Sequence, residues 1–107
     1  MWLYTTDGFY SVVHDSYCEP DELMIRARQR VDLENLAQHG ITGDILEIPH
    51  ADYRYRVSVS RKDWAGYLST YATDMRYSNF KNTLPHDDHD RHDAYFRCWS
   101  VMNNWQK

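Results

Sequence analysis

The first half of the chain alternates short apolar runs with turn-forming residues, a pattern typical of antiparallel strands. Residues 2–6 and 9–14 are rich in aromatic and β-branched side chains, and Asp7-Gly8 lies between them. Asp-Gly in that position is a strong signal for a type I′ hairpin turn, which requires a positive φ at both residues. We therefore predict a β-hairpin that turns at Asp7 and Gly8.

Two later segments, residues 22–29 and 52–60, alternate apolar and polar side chains with a period of two. This period predicts strands with one face in the core and one face in water. The side chains expected to face the core are Leu23, Ile25 and Ala27 in the first segment, and Tyr53, Tyr55, Val57 and Val59 in the second. A further apolar run at residues 45–48 is short and ends at Pro49.

Helices are predicted where apolar residues recur every three or four positions. The first helix covers residues 31–40, with Gly40 as its left-handed end. The second begins at Ser60, which forms a capping box with Asp63. The third begins near Asp88 and continues to the C-terminus. The segment YSNFK, residues 77–81, is predicted as a turn with a short helical piece.

The third helix has an apolar stripe. Its members are Tyr95, Cys98, Trp99, Met102 and Trp105. We expect this stripe to pack on the core, so Trp99 is predicted to be largely buried and costly to replace.

Composition supports one globular domain. The chain has 107 residues, of which 42% are hydrophobic and 15% aromatic, and a chain of this length buries roughly 65% of its unfolded surface. The order of strands and helices predicts a single α+β domain over residues 1–107, with an antiparallel sheet and helices packed on one face.

Charge and cysteine content narrow the function classes. The formal net charge of −4 argues against general nucleic-acid binding. We find no secretory signal and no run long enough to span a bilayer. Cys18 and Cys98 do not form a disulfide framework, so we interpret them as reduced thiols of a cytoplasmic protein.

The run of histidines and aspartates at residues 86–93 has two interpretations. On a helix, side chains three or four residues apart share a face, so the run could hold a divalent metal in a small metal-dependent hydrolase. The ligands would be His86, His89, His92 and Asp93. The alternative is a polar helix start, with Asp87 or Asp88 as the N-cap and the other aspartates near the positive end of the helix dipole. We favour the polar helix start and expect no cofactor.

The polar faces of the two predicted strands form a second candidate site. If the strands are neighbours, their arginines cluster, since facing residues lie about 4.5–5.5 Å apart. The arginines are Arg26, Arg28, Arg54 and Arg56. Their charges require either acids of the same chain, such as Glu47 and Asp52, or an anionic ligand that guanidinium groups bind in a bidentate manner.

Several motifs resemble a family of small bacterial and phage proteins, in the same order over about 90 residues. They are GFYSVV at 8–13, RAR at 26–28, DYRYR at 52–56, YSNFK at 77–81, and Tyr95 followed by Trp99. The resemblance implies no activity, but it does imply which residues form the functional site. Those residues are Arg26, Arg28, Tyr53, Arg54 or Arg56, Tyr77, Asn79 and Lys81. The histidine–aspartate run is not part of the pattern.

No nucleophile motif and no phosphate-binding loop occurs in the chain, which has only 4 glycines. The sequence therefore favours a non-enzymatic binding protein that engages a protein partner or a small anionic ligand through the arginine-bearing sheet face and residues 77–81. The relation to phages favours an inhibitor of a host factor. A homodimer is left open, and the metal-dependent hydrolase stays the alternative.

Overall fold

The computed structural model describes all 107 residues. The chain separates into two compact units, residues 1–75 and residues 76–107. The prediction of a single domain stays a prediction. The fold class itself is confirmed, because five antiparallel strands and three α-helices make this an α+β protein.

The first unit contains the whole sheet. Its strands, in chain order, are β1 (Trp2–Thr5), β2 (Gly8–Val13), β3 (Glu22–Ala27), β4 (Leu46–Glu47) and β5 (Tyr55–Ser60). They lie in the order β1-β2-β3-β5-β4, and every neighbouring pair is antiparallel. The two segments with clear alternation, β3 and β5, are therefore adjacent at the centre of the sheet.

The predicted hairpin is present, but its turn is not at the predicted residues. Thr5 pairs with Gly8, so the two loop residues are Thr6 and Asp7 and Gly8 is already part of β2. Gly8 has a φ of 156°, whereas no residue other than glycine has a positive φ. The type I′ turn at Asp7-Gly8 is therefore wrong, since Asp7 does not adopt the conformation that it requires.

Alternate side chains of the strands form the core on one face of the sheet, where α1 (Arg30–Ala37) and α2 (Arg61–Asp74) pack. The core residues are Tyr10, Val12, Ile25, Ala27, Leu33, Leu36, Ile41, Val57, Val59, Trp64 and Tyr67. Full burial of a large apolar side chain contributes roughly 1.5–3 kcal/mol. This face therefore holds the first unit together.

The ends of both helices follow local chemistry. The hydroxyl of Ser60 accepts a hydrogen bond of 3.0 Å from the backbone N–H of Asp63, which confirms the predicted N-cap of α2. Gly40 follows α1 with a φ of 83°, the left-handed conformation expected where a helix terminates.

The second unit consists of a single turn of 3₁₀ helix, Phe80–Thr83, and the helix α3, His89–Trp105. Tyr95 is buried and its ring stacks on Phe80 at a centroid distance of 6.0 Å. Trp99 is 50% exposed, so the prediction that it is largely buried is wrong. Of the predicted apolar stripe only Tyr95 is buried, because the small second unit offers α3 little apolar surface to pack against.

None of the helices combines the length and the apolar character needed to cross a bilayer. Neither cysteine forms a disulfide bond. Burial raises the pKa of Cys18 above its ordinary value, which keeps this thiol protonated and makes it a poor nucleophile.

Candidate functional site

Two of the four arginines face each other across the centre of the sheet. Arg26 of β3 lies directly opposite Arg56 of β5, and Ser11 of β2 lies on the other side of Arg26. The guanidinium group of Arg26 extends towards β2, where its Nη2 donates to the hydroxyl of Ser11 at 2.6 Å. The sheet thus places two positive charges side by side on the face opposite the core.

Tyr53 is the central side chain of the site, and it is not where the sequence predicted. It precedes β5, is buried, and does not belong to the core cluster. Its ring lies beneath two guanidinium groups, with centroid distances of 4.7 Å to Arg26 Cζ and 4.3 Å to Arg28 Cζ, and 6.4 Å from the ring of Phe9. The expectation that Tyr53 faces the core with Val57 is therefore wrong.

Hydrogen bonds between side chains and the backbone explain the position of Tyr53. Arg28 Nη1 donates to the carbonyl of Asp52 at 2.8 Å, and Arg56 Nε donates to the carbonyl of Tyr53 at 3.4 Å. The Asp52 side chain accepts from the Tyr53 N–H at 2.9 Å. These bonds bend the chain before β5 begins, so the alternation of the strand does not extend back to Tyr53. We call Tyr53, Arg26 and Arg28 the Tyr53 cluster.

The other two arginines have acidic partners. Arg54 Nη2 lies 2.7 Å from a carboxylate oxygen of Glu47, at the β4 edge of the sheet. Arg56 Nη2 lies 3.8 Å from the carboxylate of Asp52, whose side chain is 71% exposed. Partly exposed pairs of this kind contribute about 0–1 kcal/mol, so they neutralise charge more than they stabilise the fold.

The two guanidinium groups of the Tyr53 cluster make no ion pair. Arg26 donates to the hydroxyl and the carbonyl of Ser11, and Arg28 donates to the carbonyl of Asp52. The ring of Tyr53 adds roughly 0.5–2 kcal/mol of cation–π attraction to each arginine without cancelling its charge. The cluster is therefore a pre-arranged pair of cations with unused N–H donors.

The segment YSNFK lies in the second unit and has a local structural role there. The Asn79 side chain accepts from the Lys81 N–H at 3.0 Å and caps the 3₁₀ helix. The ring of Tyr77 packs on Phe80 at 5.8 Å. The ammonium of Lys81 lies over the ring of Trp99, 4.6 Å from its centroid. These contacts account for the positions of the three side chains without a ligand.

The histidine–aspartate run is a helix start in the structure. Asp88 is the N-cap of α3, and its carboxylate accepts from the backbone N–H of Arg91 at 3.1 Å and from Arg91 Nε at 3.0 Å. Arg91 holds the pKa of Asp88 below its usual value. Nearby, His92 contacts the carbonyl of Pro85, and Asp93 pairs with Arg97.

These contacts leave the predicted metal ligands without a common centre. No group of three or more histidine, cysteine, aspartate or glutamate side chains has an arrangement that could hold a metal ion. The set of His86, His89, His92 and Asp93 is therefore not assembled, and no observation favours the metal-dependent hydrolase.

A second polar network, which the sequence does not predict, joins the first hairpin to both helices of its unit. Tyr67 donates to the carboxylate of Asp7 at 2.6 Å and also contacts the hydroxyl of Thr5 at 2.9 Å. His39 Nε2 lies 3.1 Å from the other carboxylate oxygen of Asp7, and the side chain of Asn35 donates to the Asp7 carbonyl. The sequence predicts Asp7 only as a turn residue.

Burial, together with the hydrogen bond to Asp7, raises the pKa of Tyr67 well above its ordinary value. The phenol therefore stays protonated and acts as a donor to the carboxylate. A permanently protonated phenol between Asp7 and Thr5 is suited to holding the hairpin in place. It is not suited to proton transfer near neutral pH.

Comparisons with protein-family models, with curated proteins and with solved structures found no match for this chain. The geometry of the residues is thus the basis on which a function is assigned.

Proposed function

We propose that the protein is a non-catalytic binding protein, and that its Tyr53 cluster recognises a carboxylate or phosphate group on a ligand or a protein partner. The supporting observation is the pair of guanidinium groups on one buried ring, neither of which has an acidic partner. Two nearby arginines, Arg54 just before β5 and Arg56 within it, do have acidic partners. Arg26 and Arg28 are therefore suited to binding an anion, whereas the charges of Arg54 and Arg56 are already neutralised.

The number of unused N–H donors on Arg26 and Arg28 supports an anionic ligand. A guanidinium group has five N–H donors and stays charged at any physiological pH. Arg28 uses one nitrogen for the carbonyl of Asp52, and Arg26 uses two for Ser11. The remaining donors suit the paired oxygens of a carboxylate or phosphate, which form charge-assisted bonds about twice as strong as neutral ones.

Rigidity also supports binding. Arginine side chains lose rotamer entropy when a ligand immobilises them, at roughly 0.5–1.5 kcal/mol each. Here the ring of Tyr53 and the contacts to Ser11 and Asp52 hold both guanidinium groups before a ligand arrives. The cluster therefore avoids part of the cost of ordering.

The resemblance to small bacterial and phage proteins favours a host protein with an acidic surface as the partner. In this proposal the protein acts in the cytoplasm and blocks a host factor. Residues 77–81 belong to the same proposal only through the resemblance, because their contacts in the second unit need no ligand.

The test measures binding of phosphate, sulfate and a short oligoglutamate peptide by titration calorimetry and thermal shift, at constant ionic strength. We expect all three anions to raise the melting temperature of the wild-type protein. The double variant Arg26→Glu/Arg28→Glu should lose at least about tenfold in affinity, because charge-assisted hydrogen bonds contribute roughly 1.5–3 kcal/mol each. The matched control is Arg30→Glu, which removes an exposed arginine that pairs with Glu34 on α1.

The control should bind like the wild type. Equal affinity of the wild type and the double variant for all three anions would remove the proposal. A double variant that no longer folds, as judged by circular dichroism, would show that the arginines stabilise the sheet, and the single variant Arg28→Gln then supplies the binding measurement.

A further inference from the structure

The C-terminal half of α3 is uncharged, although it lies on the surface. From Cys98 to Gln106 no residue carries a charge, whereas the preceding half of the helix is rich in aspartate, histidine and arginine. Surface helices are normally charged on the side that faces water. An uncharged and exposed half-helix is typical of a surface that another molecule covers.

Four large apolar side chains form a row on this helix at intervals of three residues. They are Phe96, Trp99, Met102 and Trp105, which are 53%, 50%, 60% and 68% exposed. The rings of Phe96 and Trp99 stack on each other at 5.9 Å. Residues three apart form one of the ridges through which helices pack. Because three residues turn the helix by about 300°, this ridge winds round α3: Trp99, Met102 and Trp105 share one side, and Phe96 lies at its margin. We call this row the α3 ridge.

The exposed area of the α3 ridge is large for a protein of this size. Aromatic residues present about 150–250 Å² each, so half to two-thirds exposure of the four side chains amounts to roughly 500 Å². That is near the upper end for the largest apolar patch on a typical monomer, about 300–600 Å².

We propose that the α3 ridge is the contact surface of a homodimer, in which two copies of α3 pack antiparallel with Met102 near the two-fold axis. In this arrangement Trp99 of each copy lies against Trp105 of its partner copy, and Met102 meets Met102. The proposal concerns a different surface from the Tyr53 cluster and does not depend on anion binding.

The distribution of charge along α3 favours a second copy of the chain as the partner and an antiparallel orientation of the two helices. An antiparallel pair overlaps the two uncharged halves and leaves both charged halves in water. A parallel pair would instead bring the two charged halves alongside each other, and like charges in close contact repel. Antiparallel helices also align their dipoles favourably. The α3 ridges of two copies are thus complementary only when the two helices run antiparallel.

The area also fits a dimer. Burying Trp99, Met102 and Trp105 of two copies removes roughly 800 Å² from water, which is the size of a weak, transient interface. Aromatic residues and methionine are enriched in the centres of such interfaces, and charged residues are depleted there. Lys81, whose ammonium lies 5.6 Å from the ring centroid of Phe96, is the cation at the rim. We therefore expect a weak dimer that forms only at micromolar or higher concentrations.

Sedimentation velocity of the full chain between about 1 and 500 µM tests the proposal. The wild type should shift from monomer to dimer in this range, and Met102→Glu should raise the dissociation constant at least tenfold. Trp2→Glu is the matched control, because Trp2 is a 74% exposed apolar residue on the edge strand β1. This variant should dimerise like the wild type. Met102 is 60% exposed, so its replacement should leave the melting curve of the monomer unchanged.

A cross-linking experiment tests the register. In a background with Cys18→Ser and Cys98→Ser, Met102→Cys should form an intermolecular disulfide on mild oxidation, because a residue on a two-fold axis meets itself. Asn104→Cys lies on the opposite side of the helix and should not.

A wild type that stays monomeric at the highest concentration would overturn the proposal. A dimer that Met102→Glu leaves intact and Trp2→Glu dissociates would also overturn it, and would place the interface at the sheet edge instead.

Discussion

Gly8 has no side chain, and this allows the first hairpin to pack closely against Asp32 of α1. A Cβ atom at this position would lie 2.6 Å from Cβ and 2.7 Å from Oδ2 of Asp32, distances that real Cβ contacts do not show. Asp32 is buried, and its carboxylate accepts from the Phe9 N–H at 3.1 Å. The φ of 156° at Gly8 is also unfavourable for any L-residue. Only glycine meets both requirements.

We predict that Gly8→Ala destabilises the protein by roughly 1–3 kcal/mol, because the new methyl group displaces Asp32 and strains the backbone. Urea denaturation followed by circular dichroism measures the change. The matched control is Gly66→Ala in α2, where a Cβ meets no atom within 4 Å. That substitution should stabilise by roughly 0.5–1 kcal/mol, since glycine weakens a helix interior. An unchanged midpoint for Gly8→Ala would show that the hairpin moves freely relative to α1.

The residues that could be predicted are those whose position depends on the strand period. Arg26 and Arg56 follow the alternation of β3 and β5, and the register makes them neighbours as expected. Tyr53 could not be placed, because the bend before β5 depends in part on a hydrogen bond from Arg28, which is distant in sequence. The contacts of Asp7 could not be predicted for a similar reason, since its partners Asn35 and Tyr67 come from two separate helices.

At the scale of elements, helix starts were predictable because capping is a local interaction. Ser60 caps α2 and Asp88 caps α3, and both side chains accept a hydrogen bond from a backbone N–H three residues ahead. The spacing of apolar residues was less informative for α3. It identified a helix correctly, but periodicity cannot tell which surface the apolar side faces, and Trp99 is half exposed.

We predict that Ser60→Ala destabilises the protein by about 1 kcal/mol, the usual cost of removing a hydroxyl cap from a helix. The change should appear as a lower urea midpoint with the same slope. Ser69→Ala is the control, because Ser69 is exposed within the same helix and alanine has the higher helix propensity. If the two variants have equal stability, the 3.0 Å bond to Asp63 does not stabilise α2.

At the scale of the whole molecule, the α+β class followed from local patterns, but the order of the strands did not. β5 lies between β3 and β4, so the short strand Leu46–Glu47 becomes an edge, whereas sequence order alone would place it beside β3. Such pairings depend on long-range contacts that no local pattern contains. The division into residues 1–75 and 76–107 was likewise not visible, since no proline- or glycine-rich linker marks it.

This division leads to a prediction for the fragment 1–75. It contains all five strands, α1, α2 and the complete core cluster, including the buried Trp64. A domain with its own core can fold alone, so we expect the fragment to unfold cooperatively in urea. The fluorescence of Trp64 should shift to the red as the indole enters water. The fragment should also retain the phosphate and sulfate binding proposed for the Tyr53 cluster, because Arg26, Arg28 and Tyr53 all lie within it. The full chain, measured in parallel, is the reference.

A fragment with a broad, non-cooperative transition and no near-ultraviolet circular dichroism signal would contradict this prediction. It would show that residues 76–107 are needed for folding, so that the chain is one cooperative domain as the sequence predicted.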